Sequence, residues 1–467
     1  MHIRLETLGC RLNEAELQRW AREFQALGHS PSASGQDTDR PVDLVVVNTC
    51  AVTQEAVRKS RQLLRRVQRQ NPRARLIVSG CATALDESSG KPTGIDHSGI
   101  DLLIANSDKD RLVEIATREL ALPVMPTTAQ TSQANPLFAR GRQRAFVKIQ
   151  DGCRYQCTFC ITTIARGPER SRPLAEIVAE VQEAATEGIQ EAVLTGVHAT
   201  GYGADINSRL EDLIAAVLQD TDIPRLRLGS IEPWGLSEGF WRLFENPRLA
   251  PHLHLPLQSG SDHILRRMGR RCDSSAYRAL IAQARQSITD FNPTTDIILG
   301  FPGESESDWR ETMTTVAEIG FSHVHIFSYS PRPGTRAAEM PEQVPDQIKR
   351  VRTEQLHQLA EELRARAFDA HLGRTMPVLL ENGFAGARGD TLFGYTLNYL
   401  PVRLDISSAA GRIHQDWLNQ IESLTLNSIS QDSKALVGTP LAESDTTATR
   451  ADTHQPMAER GPVASSP

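Results

Sequence analysis

Cys153, Cys157 and Cys160 lie within eight residues in a C-x3-C-x2-C spacing, and no fourth cysteine lies nearby. Closed structural zinc sites take four ligands, and iron–sulfur clusters are commonly held by four thiolates. A zinc reading has to find its missing ligands elsewhere. The nearest later candidates, His252 and His254, alternate in a His-Leu-His run and read more simply as the polar side of a strand. A 4Fe–4S cluster suits the trio better, because three thiolates can hold three irons and leave the fourth open to a substrate.

Four further cysteines are spread widely: Cys10, Cys50, Cys81 and Cys272. Seven is an odd number, and the N-terminus alternates like a strand without a secretory pattern. Ligands or free thiols in a reducing cytoplasm are therefore expected rather than a disulfide framework. Strand patterns at 2–8, 43–47, 75–79 and 101–104 alternate with helical ones, one opening on Asn13 as N-cap and ending at Gly28, another opening near Thr53. That order implies a flavodoxin-like parallel sheet covered by helices. Cys10, Cys50 and Cys81 each follow one of its strands. The carboxyl ends of parallel strands share one edge, so these three thiols should converge.

The chain has 467 residues, enough for several domains, with 39% hydrophobic and 23% charged residues, as in ordinary soluble globular proteins. Its longest apolar runs are strand-sized, which predicts no membrane span. The net charge of −6 excludes a uniformly basic nucleic-acid binder. Locally, however, residues 57–75 hold eight basic and no acidic side chains, and the Leu265–Arg271 segment adds four more. Such patches can attract phosphate.

The first domain is expected over residues 1–121 and a Pro/Thr/Gln-rich linker over 122–143. From 144 to 372 a strand–helix alternation repeats six times and ends in a long helix from about residue 346, predicting an open, partial (β/α)6 barrel. The Cys153–Cys160 loop follows the first barrel strand, on the face where barrel active sites form. Thr195, Gly196, Ser230, Glu232, Gln258 and Asp296 lie near later strand ends on that face. A small antiparallel β-barrel is expected over 373–441, and a tail poor in large apolar residues over 442–467.

The cysteine spacing, with Phe159 before the last thiol, resembles the radical S-adenosylmethionine (SAM) superfamily. Leu8-Gly-Cys10, Asn48-Thr-Cys-Ala-Val-Thr53 and Ser79-Gly-Cys81 resemble the N-terminal domain of the methylthiotransferases. Ala165-Arg-Gly-Pro-Glu-Arg-Ser-Arg172, Leu255-Pro-Leu-Gln-Ser-Gly-Ser261 and Asp296-Ile-Ile-Leu-Gly-Phe-Pro-Gly-Glu304 resemble their radical domain, and the C-terminal module resembles their TRAM domain. The resemblance implies that Cys153, Cys157 and Cys160 hold the SAM-binding 4Fe–4S cluster. It also implies that Cys10, Cys50 and Cys81 hold a second cluster carrying the sulfur to be inserted, with Cys272 an ordinary thiol. One SAM would methylate that sulfur and a second would yield a 5′-deoxyadenosyl radical. Thr195, Gly196, Ser230, Glu232, Gln258 and Asp296 become candidate SAM contacts, and no side-chain acid or base is required.

Arg58-Lys-Ser-Arg-Gln62, Lys148-Ile-Gln-Asp-Gly-Cys153, Leu194-Thr-Gly-Val-His-Ala-Thr-Gly-Tyr-Gly203 and Gly394-Tyr-Thr-Leu-Asn-Tyr399 look like the branch that modifies C2 of N6-threonylcarbamoyladenosine beside the tRNA anticodon. This implies the tRNA anticodon stem-loop and a low-potential flavodoxin- or ferredoxin-type electron donor as partners. The alternatives are isopentenyladenosine in tRNA, a ribosomal-protein aspartate, or a non-catalytic metal-binding protein that interacts with RNA. Residues 371–441 hold five basic and six acidic residues, which does not favour strong RNA binding by that module.

Overall fold

The computed structural model describes residues 1–33, 40–89, 95–124, 143–381, 391–406, 414–432 and 434–441, so nearly all of the expected linker and the tail beyond 441 lie outside the described residues. The chain divides into two compact units, residues 1–370 with 397–400, and residues 371–396 with 401–467.

The first unit opens with a five-stranded parallel sheet in the order β2-β1-β3-β4-β5, the flavodoxin-like arrangement. Its strands are β1 (His2–Thr7), β2 (Ser30–Ala33), β3 (Leu44–Thr49), β4 (Arg75–Gly80) and β5 (Leu102–Ile104). β3 reads Leu-Val-Val-Val-Asn-Thr and is buried throughout, as a central strand covered on both faces must be. β2 was not anticipated, because Ser-Pro-Ser-Ala reads as a turn. It is an edge strand, where Pro31 costs no ladder bond. α1 (Arg11–Ala26), α2 (Gln54–Gln70), α3 (Cys81–Ser89) and α4 (Leu112–Glu119) complete this part.

α1 begins three residues earlier than its sequence suggests, with Cys10 at the N-cap rather than Asn13. The amide of Asn13 is used elsewhere, donating to Leu8 O (2.8 Å) and Thr49 O (3.0 Å). α1 is buried almost all round, from Leu12 to Gln18 and again at Trp20, Ala21 and Phe24. Trp20 and Phe24 pack under the sheet with Ile3, Leu5, Val46 and Ile77, and burying each such side chain contributes roughly 1.5–3 kcal/mol. The opposite side of α1 meets the second set of strands.

Those strands are β6 (Arg144–Lys148), the two-residue ladder β7 (Gln150–Asp151) with β8 (Arg170–Ser171), then β9 (Glu191–Thr195), β10 (Arg225–Leu228), β11 (His252–His254), β12 (Asn292–Leu299) and β13 (His323–Ser328). α5 (Thr162–Arg166) follows the cysteine loop. β6-β9-β10 and β11-β12-β13 form two parallel triplets, joined by parallel bridges at Leu226–Leu249 and Ser230–His254. The result is the expected six-stranded partial barrel, closed off by a helix over Asp346–Asp369. α1 seals its open β6 edge: Phe146 N–H donates to Gln18 Oε1 (2.8 Å) and Gln18 Nε2 donates to Arg144 O (3.5 Å). A side-chain amide thus occupies backbone groups that an edge strand would otherwise expose.

The two faces of the barrel strands differ sharply. Leu253, Leu255, Ile297, Leu299 and Val324 join the helices in one apolar core. On the other face the register aligns His254 with Thr294, Thr294 with His323, and Asp296 with His325. A strand alternates sides at every residue, so this sequence lines the barrel interior with polar groups.

In the second unit, β14 (Thr375–Glu381), β15 (Thr391–Thr396), β16 (Pro401–Asp405), β17 (Ile421–Ile429) and β18 (Leu436–Pro440) form a closed barrel. It departs from a purely antiparallel pattern, since β16 pairs with β18 in parallel and thereby closes the ring. Among the described residues, no helix is long and apolar enough to cross a membrane.

Candidate active site

Cys10, Cys50 and Cys81 leave the carboxyl ends of β1, β3 and β4 and lie within electrostatic reach of one another. The intervening strand β2 does not disturb this, because it sits at the sheet edge. Gly9 has φ +103°, and a Cβ there would lie 2.5 Å from Cys50 Sγ, so only glycine lets the first loop approach the second thiol. Asn13 fastens the residues preceding both Cys10 and Cys50 through its two amide donations. The Cys50 N–H donates to Ser60 Oγ (3.1 Å) on α2. Cys10 is open to solvent yet surrounded by protein, as expected for the wall of a cavity, and burial pushes its thiol up; burial pushes Cys50 up to about 11.

The second trio sits in the loop after β7. Gly152 precedes it with φ +69°, and a Cβ there would fall 1.9 Å from Pro168 O. Cys153 N–H donates to Gly167 O (3.1 Å), Cys160 N–H to Cys157 O (3.0 Å), and Tyr155 N–H to Cys153 Sγ (3.4 Å). Burial pushes Cys153 up to about 12 and raises Cys157, against which the Arg270 guanidinium acts. Arg270 itself is held by Glu232 (2.8 Å), by Pro256 O (2.6 Å) and over the Trp234 ring. Arg271 lies over Tyr155, and Tyr155 meets the edge of His198, whose Nδ1 is 2.6 Å from Glu169. The Leu265–Arg271 cluster is therefore only partly a surface patch. Arg266 is exposed, but Arg267 donates to Pro302 O and Arg270 and Arg271 serve the cysteine loop.

The donor chemistry favours clusters over single ions. A tetrahedral zinc with bonds of about 2.3 Å brings its sulfurs to roughly 3.8 Å of one another. Among the described residues, the ligand triplets that close within 4.8 Å are Cys153-Glu169-His198 and His254-Asp296-His325, and neither thiol trio closes so far. Three soft donors spread more widely suit an iron–sulfur cube, and the cube's open corner matches the missing fourth cysteine. Cys272 stays apart in the apolar core, raised by burial to about 11.

Two arginines, both missed as site residues in the sequence, connect the trios. Arg166, at the end of α5, donates to Glu16 (2.8 Å), Asp151 (3.0 Å) and Asn13 Oδ1 (2.7 Å), beside Cys10 and Cys81. Burial alone would raise Glu16, but Arg166, Lys109 and Lys148 hold it well below the usual carboxylate range. Arg332, in the loop after β13, is buried within electrostatic reach of Cys50. The signal for Arg166 was present in the quoted Ala165–Arg172 motif, whereas Arg332 carried none.

The six residues expected near SAM are distributed as follows. Thr195 ends β9, buried, and Gly196 lies against Gln150, whose Oε1 accepts from Val197 and His198 N–H. Ser230 is exposed and bridges His254, while Glu232 is committed to Arg270. Gln258 has φ +71° and a buried Oε1 without a hydrogen-bond partner, which leaves it poised for a ligand. Asp296 faces His254 at 3.2 Å on the polar inner wall. Glu304, in the Gly-Phe-Pro-Gly-Glu turn, is structural: it accepts from Gly300 N–H and from Arg352.

Family profiles match where this geometry lies. Residues 147–316 match the radical SAM superfamily and residues 2–94 match "Uncharacterized protein family UPF0004". The chain is 33% identical over 389 residues to the threonylcarbamoyladenosine tRNA methylthiotransferase MtaB of Thermotoga maritima, spanning 81% of this chain and 86% of that protein. It is 35% identical over 402 residues to the tRNA-2-methylthio-N(6)-dimethylallyladenosine synthase of Chloroflexus aurantiacus, spanning 82% and 83%. Among solved structures, the radical SAM methyltransferase TsrM of Kitasatospora setae superposes with a TM-score of 0.52 at 15% identity, covering 70% of this chain and 72% of that one, a likeness of fold alone.

Fold and site together define a radical SAM enzyme. More particularly, the chain belongs to the radical SAM methylthiotransferase family, whose cofactors are SAM and two 4Fe–4S clusters.

Proposed function

We propose that this enzyme adds a methylthio group to C2 of N6-threonylcarbamoyladenosine in the anticodon stem-loop of tRNA. The observation that carries the reading is the pairing of two three-thiol sites on one compact unit, joined by Arg166. Cys153, Cys157 and Cys160 would hold the SAM-binding cluster and Cys10, Cys50 and Cys81 the sulfur-carrying one. When bound, the clusters and SAM supply the radical and the sulfur that an inert aromatic C–H bond requires. The protein's own residues bind, orient and screen. Gln258 offers a free amide oxygen at a strand end, and the Glu232–Arg270 pair braces Cys157. The polar inner wall of His254, Asp296 and His325 presents hydrogen-bonding groups to a base entering the barrel.

Support for RNA comes from α2. Its basic residues follow Cys50 directly, and Arg58 and Arg61 line a pocket of about 560 Å³ with Thr53, Gln54 and the exposed ring of Phe327. Cationic side chains beside an exposed aromatic suit a phosphate backbone and a splayed base. The threonylcarbamoyl branch rests on the motifs quoted above and on the MtaB relatives, and the dimethylallyl branch is its competitor at similar identity. An external low-potential donor of flavodoxin or ferredoxin type and a cytoplasmic location complete the reading.

Mass spectrometry of nucleosides from total tRNA, with and without the gene, tests it. Loss of 2-methylthio-N6-threonylcarbamoyladenosine with accumulation of its precursor is expected. Loss of the isopentenyl counterpart instead would keep the enzyme class and overturn the branch. No change in any tRNA nucleoside would point to a protein aspartate, and absence of SAM cleavage under dithionite would leave a non-catalytic RNA-interaction protein.

A further inference from the structure

The loop that follows β13, Ser330-Pro-Arg-Pro-Gly-Thr335, touches both thiol sites. Pro331 O accepts from the side chain of Gln54 (3.2 Å), four residues beyond Cys50. Ala337 N–H, just past the loop, donates to Thr158 O (2.8 Å), inside the Cys157–Cys160 turn. Between these anchors the loop is closed on itself, since Arg332 O accepts from both Thr335 N–H (3.0 Å) and Thr335 Oγ1 (2.7 Å). The backbone of Arg332 is thus fixed from two sides.

Its side chain is the anomaly. Arg332 is 5% exposed, its Nε has no hydrogen-bond partner, and among the described residues its guanidinium forms no ion pair or ring contact. Other buried arginines on this side of the molecule are paired: Arg166 with Glu16 and Asp151, Arg270 with Glu232, Arg352 with Glu304. A guanidinium stays charged at any physiological pH and offers five donors and no acceptor. Burying it without an anion is among the most expensive arrangements in a protein, so a fixed loop that does this implies an anion at its end. Among the described residues, the titratable group within electrostatic reach of the guanidinium is the Cys50 thiol, which burial by itself holds in its neutral form.

We propose that Arg332 is the counter-cation and hydrogen-bond donor for the anionic group held at Cys50, namely the sulfur-carrying cluster. This rests on the reading that Cys10, Cys50 and Cys81 hold that cluster. The role is one of positioning and tuning. Reduction adds negative charge to an iron–sulfur cluster, and a nearby fixed cation and hydrogen bonds to its sulfurs favour the reduced form. The cation comes from the barrel, so the cluster's potential is set by a residue outside the domain that ligates it.

The test uses the full chain with Cys153, Cys157 and Cys160 replaced by alanine, reconstituted anaerobically, so that one cluster remains to be observed. Iron and sulfide content, the electron paramagnetic resonance spectrum after reduction and the potentiometric midpoint are then compared for Arg332, Arg332→Lys and Arg332→Met. With circular dichroism unchanged, Arg332→Met is expected to shift the midpoint to more negative potential, alter the spectrum and lower retained iron, and Arg332→Lys to recover part of each. A parent protein holding no cluster would sink the ligand reading itself. A parent with its cluster and an Arg332→Met variant matching it in potential, spectrum and iron would overturn the role of Arg332. If tRNA affinity alone fell, the guanidinium would serve an RNA phosphate, which equally overturns it.

Discussion

Arg166 Nη1 lies 2.8 Å from Glu16 Oε1, a bond that runs from the helix after the barrel cysteines to the helix after Cys10. Both side chains are essentially excluded from solvent, at 1% and 2% exposure. Around them Lys109 meets Glu16 (2.8 Å), and Lys148 meets Asp151 (3.0 Å) and Asp110 (2.8 Å). Two acidic and three basic groups are thus buried together with half-exposed Asp110, between a flavodoxin-like sheet and a barrel. Their positions define how the two cysteine loops face each other.

Breaking that network from one side leaves uncompensated charge. Arg166→Met should destabilise the protein by about 3–5 kcal/mol, as expected when one partner of a buried ion pair is removed. Denaturant unfolding checks the stability loss. Glu16→Gln combined with Arg166→Met should cost less than the two single changes summed, because the pair is removed as a unit.

The two thiol trios should separate by chemistry. Replacing Cys153, Cys157 and Cys160 with alanine is expected to remove about half of the bound iron and abolish SAM cleavage under dithionite. Replacing Cys10, Cys50 and Cys81 should also remove about half of the iron but leave cleavage to 5′-deoxyadenosine intact, while no methylthio product forms. Iron assay with chromatography of the nucleoside products distinguishes them, and equal loss of cleavage in both variants would contradict the assignment.

Gly9→Ala is a change of one methyl group with a large expected effect. The added Cβ would sit 2.5 Å from Cys50 Sγ on a backbone with φ +103°, so the loop must shift. Iron should fall toward the level of the Cys10/Cys50/Cys81 variant, with SAM cleavage retained. Gly188→Ala, where a Cβ meets nothing within 4 Å, should leave iron unchanged although its φ of +85° still costs stability.

At the foot of the barrel, Glu191 is bound by Arg227 (2.8 Å) and approached by Arg144 (3.5 Å). Burial alone would raise its carboxyl, but the arginines lower it from an ordinary 4.5 to about 2. A depressed carboxyl stabilises the fold above its unfolded value and loses that contribution as pH falls through 4.5 toward 2. The difference corresponds to about 3 kcal/mol, so unfolding free energy should decline over this window. Glu191→Gln should lower stability at neutral pH and flatten that part of the acid curve, measured by urea unfolding at a series of pH values.

Neutralising α2 should act on RNA and not on iron. Arg61→Gln, at the half-buried pocket wall, and Arg65→Gln, exposed on the helix, are each expected to weaken tRNA binding and reduce the salt slope by about one. Filter binding across salt concentrations reads this directly. Unchanged affinity would return α2 to the role of a solvated helix face.

Much of this protein was legible in one dimension. Period-two and helical patterns located ten of the strands and the six-fold barrel repeat, because each strand buries one or both faces and the sequence must repeat accordingly. Parallel topology then brought Cys10, Cys50 and Cys81 to one edge, since consecutive β-α units send every carboxyl end the same way. What one dimension could not carry were contacts made by polar side chains across long sequence separations. Asn13 looked like a helix cap and proved to be a clamp on two cysteine loops, because Cys10 already opened the helix. The Leu265–Arg271 run looked like a phosphate patch, but Arg270 and Arg271 turn inward to Glu232, Trp234 and Tyr155. β2 was hidden by a proline that only an edge position tolerates. Composition and spacing therefore determined the chemistry available, three thiols twice over. The tertiary structure alone decided which charges accompany them, because a buried guanidinium is placed by where its anion lies in space and leaves no periodic trace in the chain.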